Sequence, residues 1–327
     1  MNCPHSPIRK EKTMVEDSNK MIVVPMDGSK NSLKSLDYIS LIFGPKHKLK
    51  TILFYVLPRL PRILLEESKK DRKTPVNLEA LESRHVEMAE RLLKLAKESL
   101  LDRGFTEKTV DAVFRRIEVG IAQDIVHWSE KKRADAIIIT ARGRSRLEAF
   151  FIGDTAAKVL EYSKICPVWM MKGSVKKRHV LVAVDNSENA LRAVDHAGFM
   201  LSGTDVNVTI FHSKRDLRRF IPKAVLDEFP EVEKFWRYKA GEKIVPFMQK
   251  AKDKLLAAGF DDKRIAVKVV DGSHQPADDI LSEARNSDAG TIFMGLRGYS
   301  AVQDYKMGSV ARKVLDQALD MTVCFVP

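Results

Sequence analysis

Short apolar runs alternate along the chain with longer stretches that have helical periodicity. One apolar run opens the first half at Ile22–Met26, and another opens the second half at Val180–Val184. Both runs are continuously apolar, which is typical of strands covered on both faces of a sheet. Strands that alternate with helices favour parallel pairing, with helices on both sides of the sheet. The pattern therefore predicts an α/β fold.

Each half is predicted to contain five strands. In the first half they are Ile22–Met26, Thr51–Val56, Val110–Ile117, Ala136–Thr140 and Val168–Met171. In the second half they are Val180–Val184, Asn207–Phe211, Ile265–Val270, Thr291–Met294 and Thr322–Val326. The clearest helices between them are predicted over Leu78–Arg103, Ala122–Lys132, Glu242–Ala258 and Pro276–Asn286.

The two halves resemble each other in sequence. MIVVPMDGSKNSLKSLDY (21–38) matches HVLVAVDNSENALRAVDH (179–196), and GDTAAKVLE (153–161) matches GSVARKVLD (308–316). Matches in the same order and at nearly constant spacing indicate a tandem duplication. We therefore predict a loose tail over 1–20, one domain over 21–173 and a second over 178–327. Each domain should be a three-layer sandwich around a five-stranded parallel sheet.

Composition supports two globular domains and bears on the cellular compartment and the kind of partner. The chain has 327 residues, of which 44% are hydrophobic and 31% charged, which is ordinary for folded domains. The net charge of +12 raises the prospect of anionic partners without choosing among nucleotides, nucleic acids and acidic membranes. The three cysteines show no disulfide or metal spacing, and no apolar leader or 18-residue apolar run occurs. These features predict a cytoplasmic protein without a membrane span.

A glycine-rich stretch, GLRGYSAVQDYKMGSV (295–310), follows the fourth strand of the second half. In folds of this class a ligand binds outside the carboxyl ends of the strands, where Asp185 is also expected. Gly295 would allow close approach of a ligand, and Gly298 would allow the loop to turn. Gly308 and Ser309 precede a helix, whose free N–H groups and dipole favour phosphate. The alternative is that the glycines only serve turns and Ser309 only caps the helix.

The spacing Gly-x2-Gly-x9-Gly-Ser, with an aspartate after the first strand, resembles the universal stress protein family. The resemblance covers nearly the whole chain twice and implies a Rossmann-like domain in each half. Many family members bind ATP, and others lack the loop and do not. The family's separate domains pair through their last strands, which implies that the two halves here pack as a pseudo-dimer, with or without further dimerisation of the whole chain.

Carried over by motif, the resemblance implies an ATP site in the second half. Asp185 and Ala183 would meet the adenosine end, and Ser213 would stand at a backbone contact where the family usually has an apolar residue. Arg297 stands where the family often has histidine, and its guanidinium could pair with phosphate. The implied binding residues are Ala183, Asp185, Ser213, Met294, Gly295, Arg297, Gly298, Gly308, Ser309 and Val310. Mg²⁺ could bridge the phosphates.

The first half departs from this motif at two positions. It keeps Gly143 and Gly153, but Thr140 replaces the first glycine and Asp154 replaces the serine. Thr140 adds a branched side chain where the backbone should approach the nucleotide. Asp154 adds a carboxylate at a helix start, where it would repel a phosphate. We expect weak or absent ATP binding in this half.

Other motifs give little support for catalysis or nucleic-acid binding. There is no Walker A sequence, no Gly-x-Ser-x-Gly elbow and no histidine pair at metal-ligand spacing. The basic run SKRDLRRFIPK (213–223) is predicted to be a solvated loop, with a place at the ligand's mouth or contact with an anionic partner as alternatives. Basic and aromatic residues do not interleave as in nucleic-acid binding proteins.

Two functional hypotheses follow. The first is a cytoplasmic, ATP-binding regulatory module without a catalytic residue, with slow ATP hydrolysis or autophosphorylation as a weaker enzymatic variant. The second is a nucleotide-independent protein that binds a protein or nucleic acid through its basic surface.

Overall fold

The structure is a computed structural model that describes residues 20–64, 66, 77–141, 153–214, 216–271, 275–298 and 307–327. The predicted tail, apart from Lys20, lies outside the described residues, as do the loops 142–152 and 299–306. In the first half, strands and helices alternate: β1 Met21–Pro25, α1 Lys30–Ile42, β2 Lys50–Leu57, α2 Leu78–Leu101, β3 Val110–Arg116, α3 Ile121–Lys131, β4 Ala136–Ala141, α4 Asp154–Tyr162 and β5 Val168–Lys172.

The second half repeats this order, with a short helix before its longest one. Its elements are β6 His179–Ala183, α5 Glu188–Leu201, β7 Val208–Lys214, α6 Lys223–Glu228, α7 Pro230–Ala257, β8 Ile265–Asp271, α8 Pro276–Asn286, β9 Ala289–Gly295, α9 Ser309–Gln317 and β10 Thr322–Val326. The structure confirms the predicted α/β class, with a parallel five-stranded sheet in each half.

The two five-stranded sheets join into one ten-stranded sheet. The strand order is β3-β2-β1-β4-β5-β10-β9-β6-β7-β8, so the second half mirrors the first. Neighbouring strands within each half are parallel, and only the central pair, β5 and β10, is antiparallel. At this junction Trp169 lies opposite Cys324. The last strands therefore connect the halves through backbone hydrogen bonds.

Helices cover both faces of the sheet and bury one apolar cluster on each. The first cluster takes residues from α1, α2, α5 and α7, and the second takes residues from α3, α4, α8 and α9. Each cluster includes residues of both halves, so the core is continuous across the junction. This burial accounts for strands that are apolar on both faces.

Aromatic and polar side chains cross the junction on one face. The fully buried Trp169 stacks with Phe43 at 6.0 Å and meets Phe293 edge-on at 5.1 Å between ring centroids. Its indole Nε1 donates a hydrogen bond of 3.0 Å to Nε2 of His196 on α5. The residue that matches His196 in the duplicated sequence is Tyr38, whose hydroxyl lies 3.0 Å from Thr291 Oγ1 on β9. Each half thus sends one polar side chain from its first helix into the other half.

A buried lysine forms a further cross-junction contact. Lys172, at the end of β5, is 3% exposed, and its Nζ donates to the carbonyl oxygens of Leu315 at 2.9 Å and Asp316 at 2.7 Å. Both carbonyls lie in the last turn of α9, where a cation also interacts favourably with the helix dipole. Burial lowers the pKa of Lys172, which Asp316 partly opposes.

The observed elements differ from the predicted ones mainly in the second half. The helix predicted over Glu242–Ala258 begins at Pro230 and includes Pro246 in its interior. Gly241 and Pro246 are weak helix formers, so the local sequence hides the continuity of this helix. A buried apolar stripe along its C-terminal half packs on the core, and this packing offsets the cost of the missing proline N–H.

Candidate functional site

A cavity of about 460 Å³ opens at the carboxyl ends of the strands in the second half. It lies where β6 is flanked by β7 on one side and by β9 on the other, which is the point where the strand order reverses. Loops that leave two such strands diverge to opposite faces of the sheet, so a crevice forms between them. The volume is in the range of small-molecule sites.

The structure brings all the predicted binding residues to this cavity. They are Ala183, Asp185, Ser213, Met294, Gly295, Arg297, Gly298, Gly308, Ser309 and Val310. The described part of the chain contributes further lining residues that the sequence did not single out: Val184, Ala190, Phe211, His212, Phe220, Pro276, Ile280 and Ala311. The gathering of these residues is a structural observation, whereas their role in binding ATP stays a prediction.

Asp185 lies two residues beyond the end of β6 and is held by the start of α5. Its Oδ1 accepts hydrogen bonds from Ser187 Oγ at 2.6 Å and from Ser187 N at 3.3 Å. A Cβ atom on Gly298 would lie 2.4 Å from Asp185 Oδ2, so a side chain at this position would force the carboxylate to move. Gly298 does not have a positive φ angle. The glycine leaves room for the carboxylate, and no left-handed backbone conformation demands it.

Gly295 ends β9 and packs against the first turn of α5. A Cβ atom here would lie 2.9 Å from the carbonyl oxygen of Arg297 and 3.0 Å from Cβ of Asn189. Nδ2 of Asn189 donates a 3.3 Å hydrogen bond to that same carbonyl. The absence of a side chain at Gly295 therefore lets the loop close onto α5, and the same backbone lines the cavity.

The N-terminus of α9 opens into the cavity, and its N-cap residue has no side chain that could accept a hydrogen bond from the first-turn N–H groups. Gly308 is the N-cap residue and Ser309 is the first helical residue, so the alternative that Ser309 caps this helix is wrong. Gly308 has φ of −62°, and a Cβ atom on it would approach no described atom closer than 3.6 Å. Neither backbone strain nor contact within the described residues demands glycine at this position. The first-turn N–H groups and the exposed Ser309 hydroxyl are suited to an anion.

The corresponding helix start in the first half carries a negative charge. Gly153 is the N-cap of α4, and Asp154 stands where the second half has Ser309. The Asp154 carboxylate accepts a 2.8 Å hydrogen bond from Lys158 Nζ, which raises the pKa of Lys158. Thr140 is the partly exposed penultimate residue of β4, and the loop that follows lies outside the described residues. An anion at this helix start would meet the Asp154 carboxylate.

The basic run 213–223 is only partly a solvated loop, which corrects the prediction. Ser213 and Lys214 belong to β7, Leu217 is 7% exposed, and α6 begins at Lys223. Ser213 Oγ donates a 2.6 Å hydrogen bond to Asp279 on α8, and Phe220 lines the cavity. The run therefore lies at the mouth of the cavity, as one alternative had it. An aromatic residue within a basic run was the only sequence signal for this position.

Within the described residues, no cluster of three or more His, Cys, Asp or Glu side chains could hold a metal ion. None of the helices described is both long and apolar enough to cross a bilayer. A doubly wound α/β sheet with a cavity at its strand reversal is characteristic of Rossmann-like proteins.

Comparison with known proteins identifies the family within that class. The model of the universal stress protein family matches residues 18–172 and again 177–323, so the chain belongs to the universal stress protein family. This confirms the resemblance seen in the loop motifs.

The individual relatives share only about a quarter of their aligned residues with this chain. Universal stress protein YxiE of Bacillus subtilis is 26% identical over 144 residues, which cover 41% of this chain and 89% of that protein. Universal stress protein MJ0531 of Methanocaldococcus jannaschii is 26% identical over 162 residues, which cover 50% and 87%. The crystal structure of a universal stress protein from Archaeoglobus fulgidus has a similar fold over 94% of this chain and 98% of that chain, with a TM-score of 0.65 and 21% identity.

Proposed function

We propose that the second half binds ATP in the cavity at its strand ends and that the protein acts as a nucleotide-dependent regulatory module in the cytoplasm. The observation that carries this proposal is the N-terminus of α9, which has a glycine as its N-cap residue and opens into a cavity of suitable volume. Phosphates would bind the first-turn N–H groups and Ser309, with Arg297 as the neighbouring cation. The adenosine would lie towards Asp185 and Ser213.

The proposal assigns different roles to the two domains, 21–173 and 178–327. The first would support the second through the shared sheet and bind ATP weakly or not at all, because Asp154 stands at its phosphate position. Mg²⁺ fits this site chiefly through the phosphates, since Asp185 is the sole carboxylate among the described cavity residues. Asp185 is placed at the adenosine end, so the proposal includes no catalytic base and expects turnover to be slow or absent.

The decisive experiment measures ATP binding by isothermal titration calorimetry. We expect one ATP per chain and at least a tenfold loss of affinity in Ser309→Asp, because the new carboxylate repels the phosphates. The matched control removes the existing carboxylate at the equivalent position, Asp154→Ser, and should leave affinity at the second-half site unchanged. Mass analysis of small molecules released on denaturation tests for nucleotide retained during purification. Affinity that is equal in wild type and Ser309→Asp would refute the site.

A second candidate is a nucleotide-independent interaction protein. Three apolar side chains on α7 are strongly exposed and share one helix face: Phe235 at 64%, Tyr238 at 63% and Val245 at 68%. Such a stripe on a basic protein is typical of a protein-binding surface. Binding of a partner that persists without ATP and in Ser309→Asp would favour this function, whereas salt-sensitive binding of DNA or RNA would point to nucleic acid.

A further inference from the structure

Phe220 is an exposed aromatic residue at the mouth of the cavity. Its ring is 59% exposed although it lines the same space as Ser213 and Ile280. A phenylalanine in this position leaves apolar surface in contact with water, which costs free energy unless something covers it. We propose that Phe220 is a base-recognition residue that stacks on the purine ring of the bound nucleotide. This inference rests on the proposed function, since it assumes a nucleotide in the cavity.

The backbone around Phe220 is held firmly even though the ring is exposed. Asp216 Oδ1 accepts a 2.9 Å hydrogen bond from Arg218 N and begins a single 3₁₀ turn, Leu217–Arg219. Leu217 anchors this turn in the core, and Phe220 N donates a 2.9 Å hydrogen bond to its carbonyl. The ring is therefore presented by an anchored turn, which reduces the entropy lost when a ligand is bound.

The apolar surfaces of the cavity that Phe220 lines suit a flat heterocycle. Phe211 and Ile280, which are 1% and 7% exposed, line the cavity as buried apolar surface, and Pro276 adds the start of α8. Arg297, Gly308 and Ser309 line the part that is suited to anions. The cavity thus combines an apolar set that includes Phe220 with a polar set suited to phosphate. An aromatic side chain can stack on any base, because every base has a π-face.

A neighbouring tryptophan offers a direct readout. The ring of Trp236 on α7 lies 6.1 Å from that of Phe220, with 53° between their planes. The chain has three tryptophans, of which Trp169 is fully buried at the junction and Trp128 stacks on Phe54 in the first half. A purine stacked on Phe220 would change the environment of Trp236 in particular.

The first half has no counterpart of this aromatic residue. The stretch that follows its second strand, PRLPRILLEESKKDRKTPVN (58–77), contains no phenylalanine, tyrosine or tryptophan. Phe220 therefore belongs to the half with the intact phosphate loop. This coincidence is what a base-stacking role predicts.

The test compares ATP with inorganic triphosphate, which has phosphates but no base. We expect Phe220→Ala to weaken ATP binding about tenfold and to change triphosphate binding less than twofold, with Phe220→Tyr restoring ATP affinity. The control Phe229→Ala removes another exposed aromatic residue, one that does not line the cavity, and should bind ATP as wild type does. ATP should quench tryptophan fluorescence in wild type but not in Trp236→Phe.

The outcomes separate this inference from the proposed function. A wild type that binds no ATP refutes both. A wild type that binds ATP together with an equally tight Phe220→Ala variant refutes base stacking and leaves the ATP site standing. Equal losses for ATP and triphosphate in Phe220→Ala would show that the residue only supports the loop, and would also refute the inference.

Discussion

Acid should weaken the connection between the two halves, because His196 is held neutral at the junction. Its ring packs edge-on against Trp169 and accepts the indole hydrogen bond, and burial lowers its pKa from 6.5 to about 3. In the unfolded chain the imidazole regains its ordinary pKa and takes up a proton more readily than in the folded protein. The stability from neutral His196 is therefore complete above about pH 6.5 and is lost as the pH falls towards about 3.

The magnitude follows from the two pKa values. Between about pH 7.5 and about pH 5, protonation of the imidazole stabilises the unfolded state by a factor of about 30, while the folded histidine stays neutral. The free energy of unfolding therefore falls by about 2 kcal/mol. The figure changes little as long as the folded pKa remains below about 4, because protonation of the folded form is then negligible at this pH.

Urea unfolding at both pH values measures this contribution. Carboxylates and other histidines also titrate, so we compare the decrease in the free energy of unfolding in wild type with the decrease in His196→Gln. The glutamine amide can still accept a hydrogen bond from Trp169. We expect the variant to lose about 2 kcal/mol less between the two pH values. Equal losses in the two proteins would show that His196 takes up a proton in the folded state, and would refute the reasoning.

Three further predictions concern the loops and the junction. In the double variant Thr140→Gly with Asp154→Ser, calorimetry should show ATP stoichiometry rising from one towards two per chain; an unchanged value would mean that other residues block the first half. Gly298→Ala should weaken ATP binding at least tenfold, because the added methyl displaces the Asp185 carboxylate, and unchanged affinity would exclude a role for that carboxylate. Lys172→Met should lower the free energy of unfolding by about 2 kcal/mol in urea melts, because two carbonyls of α9 lose their donor. A loss below about 0.5 kcal/mol would mean that water replaces it.

The duplicated motifs made the fold and the members of the candidate site predictable. Once strands were assigned, the strand-end rule placed Asp185 beside the glycine loop, and the structure brings them together. The reason for each glycine was harder to predict. Gly298 makes room for a carboxylate and Gly295 for Asn189, which are contacts between segments far apart in the sequence.

Phe220 could not be predicted from hydrophobic periodicity. A single 3₁₀ turn is too short to give a pattern, and the cations around it resemble a solvated loop. The start of α7 at Pro230 was missed for a related reason, since its N-terminal half has exposed apolar residues without a buried stripe. Local sequence specifies an element best where one face of it packs on the core.

The antiparallel pairing of β5 with β10 also fixes which halves meet. If the two halves were separate chains, they would associate at random. Homodimers of each would then form beside the heterodimer, in proportions that depend on the concentration of each chain. Here the peptide chain itself makes the pairing intramolecular, at an effective concentration that dilution does not change. Every molecule consequently contains one half with Ser309 and one half with Asp154. A substitution in one half leaves the other half unchanged, whereas a substitution in a homodimer alters both subunits.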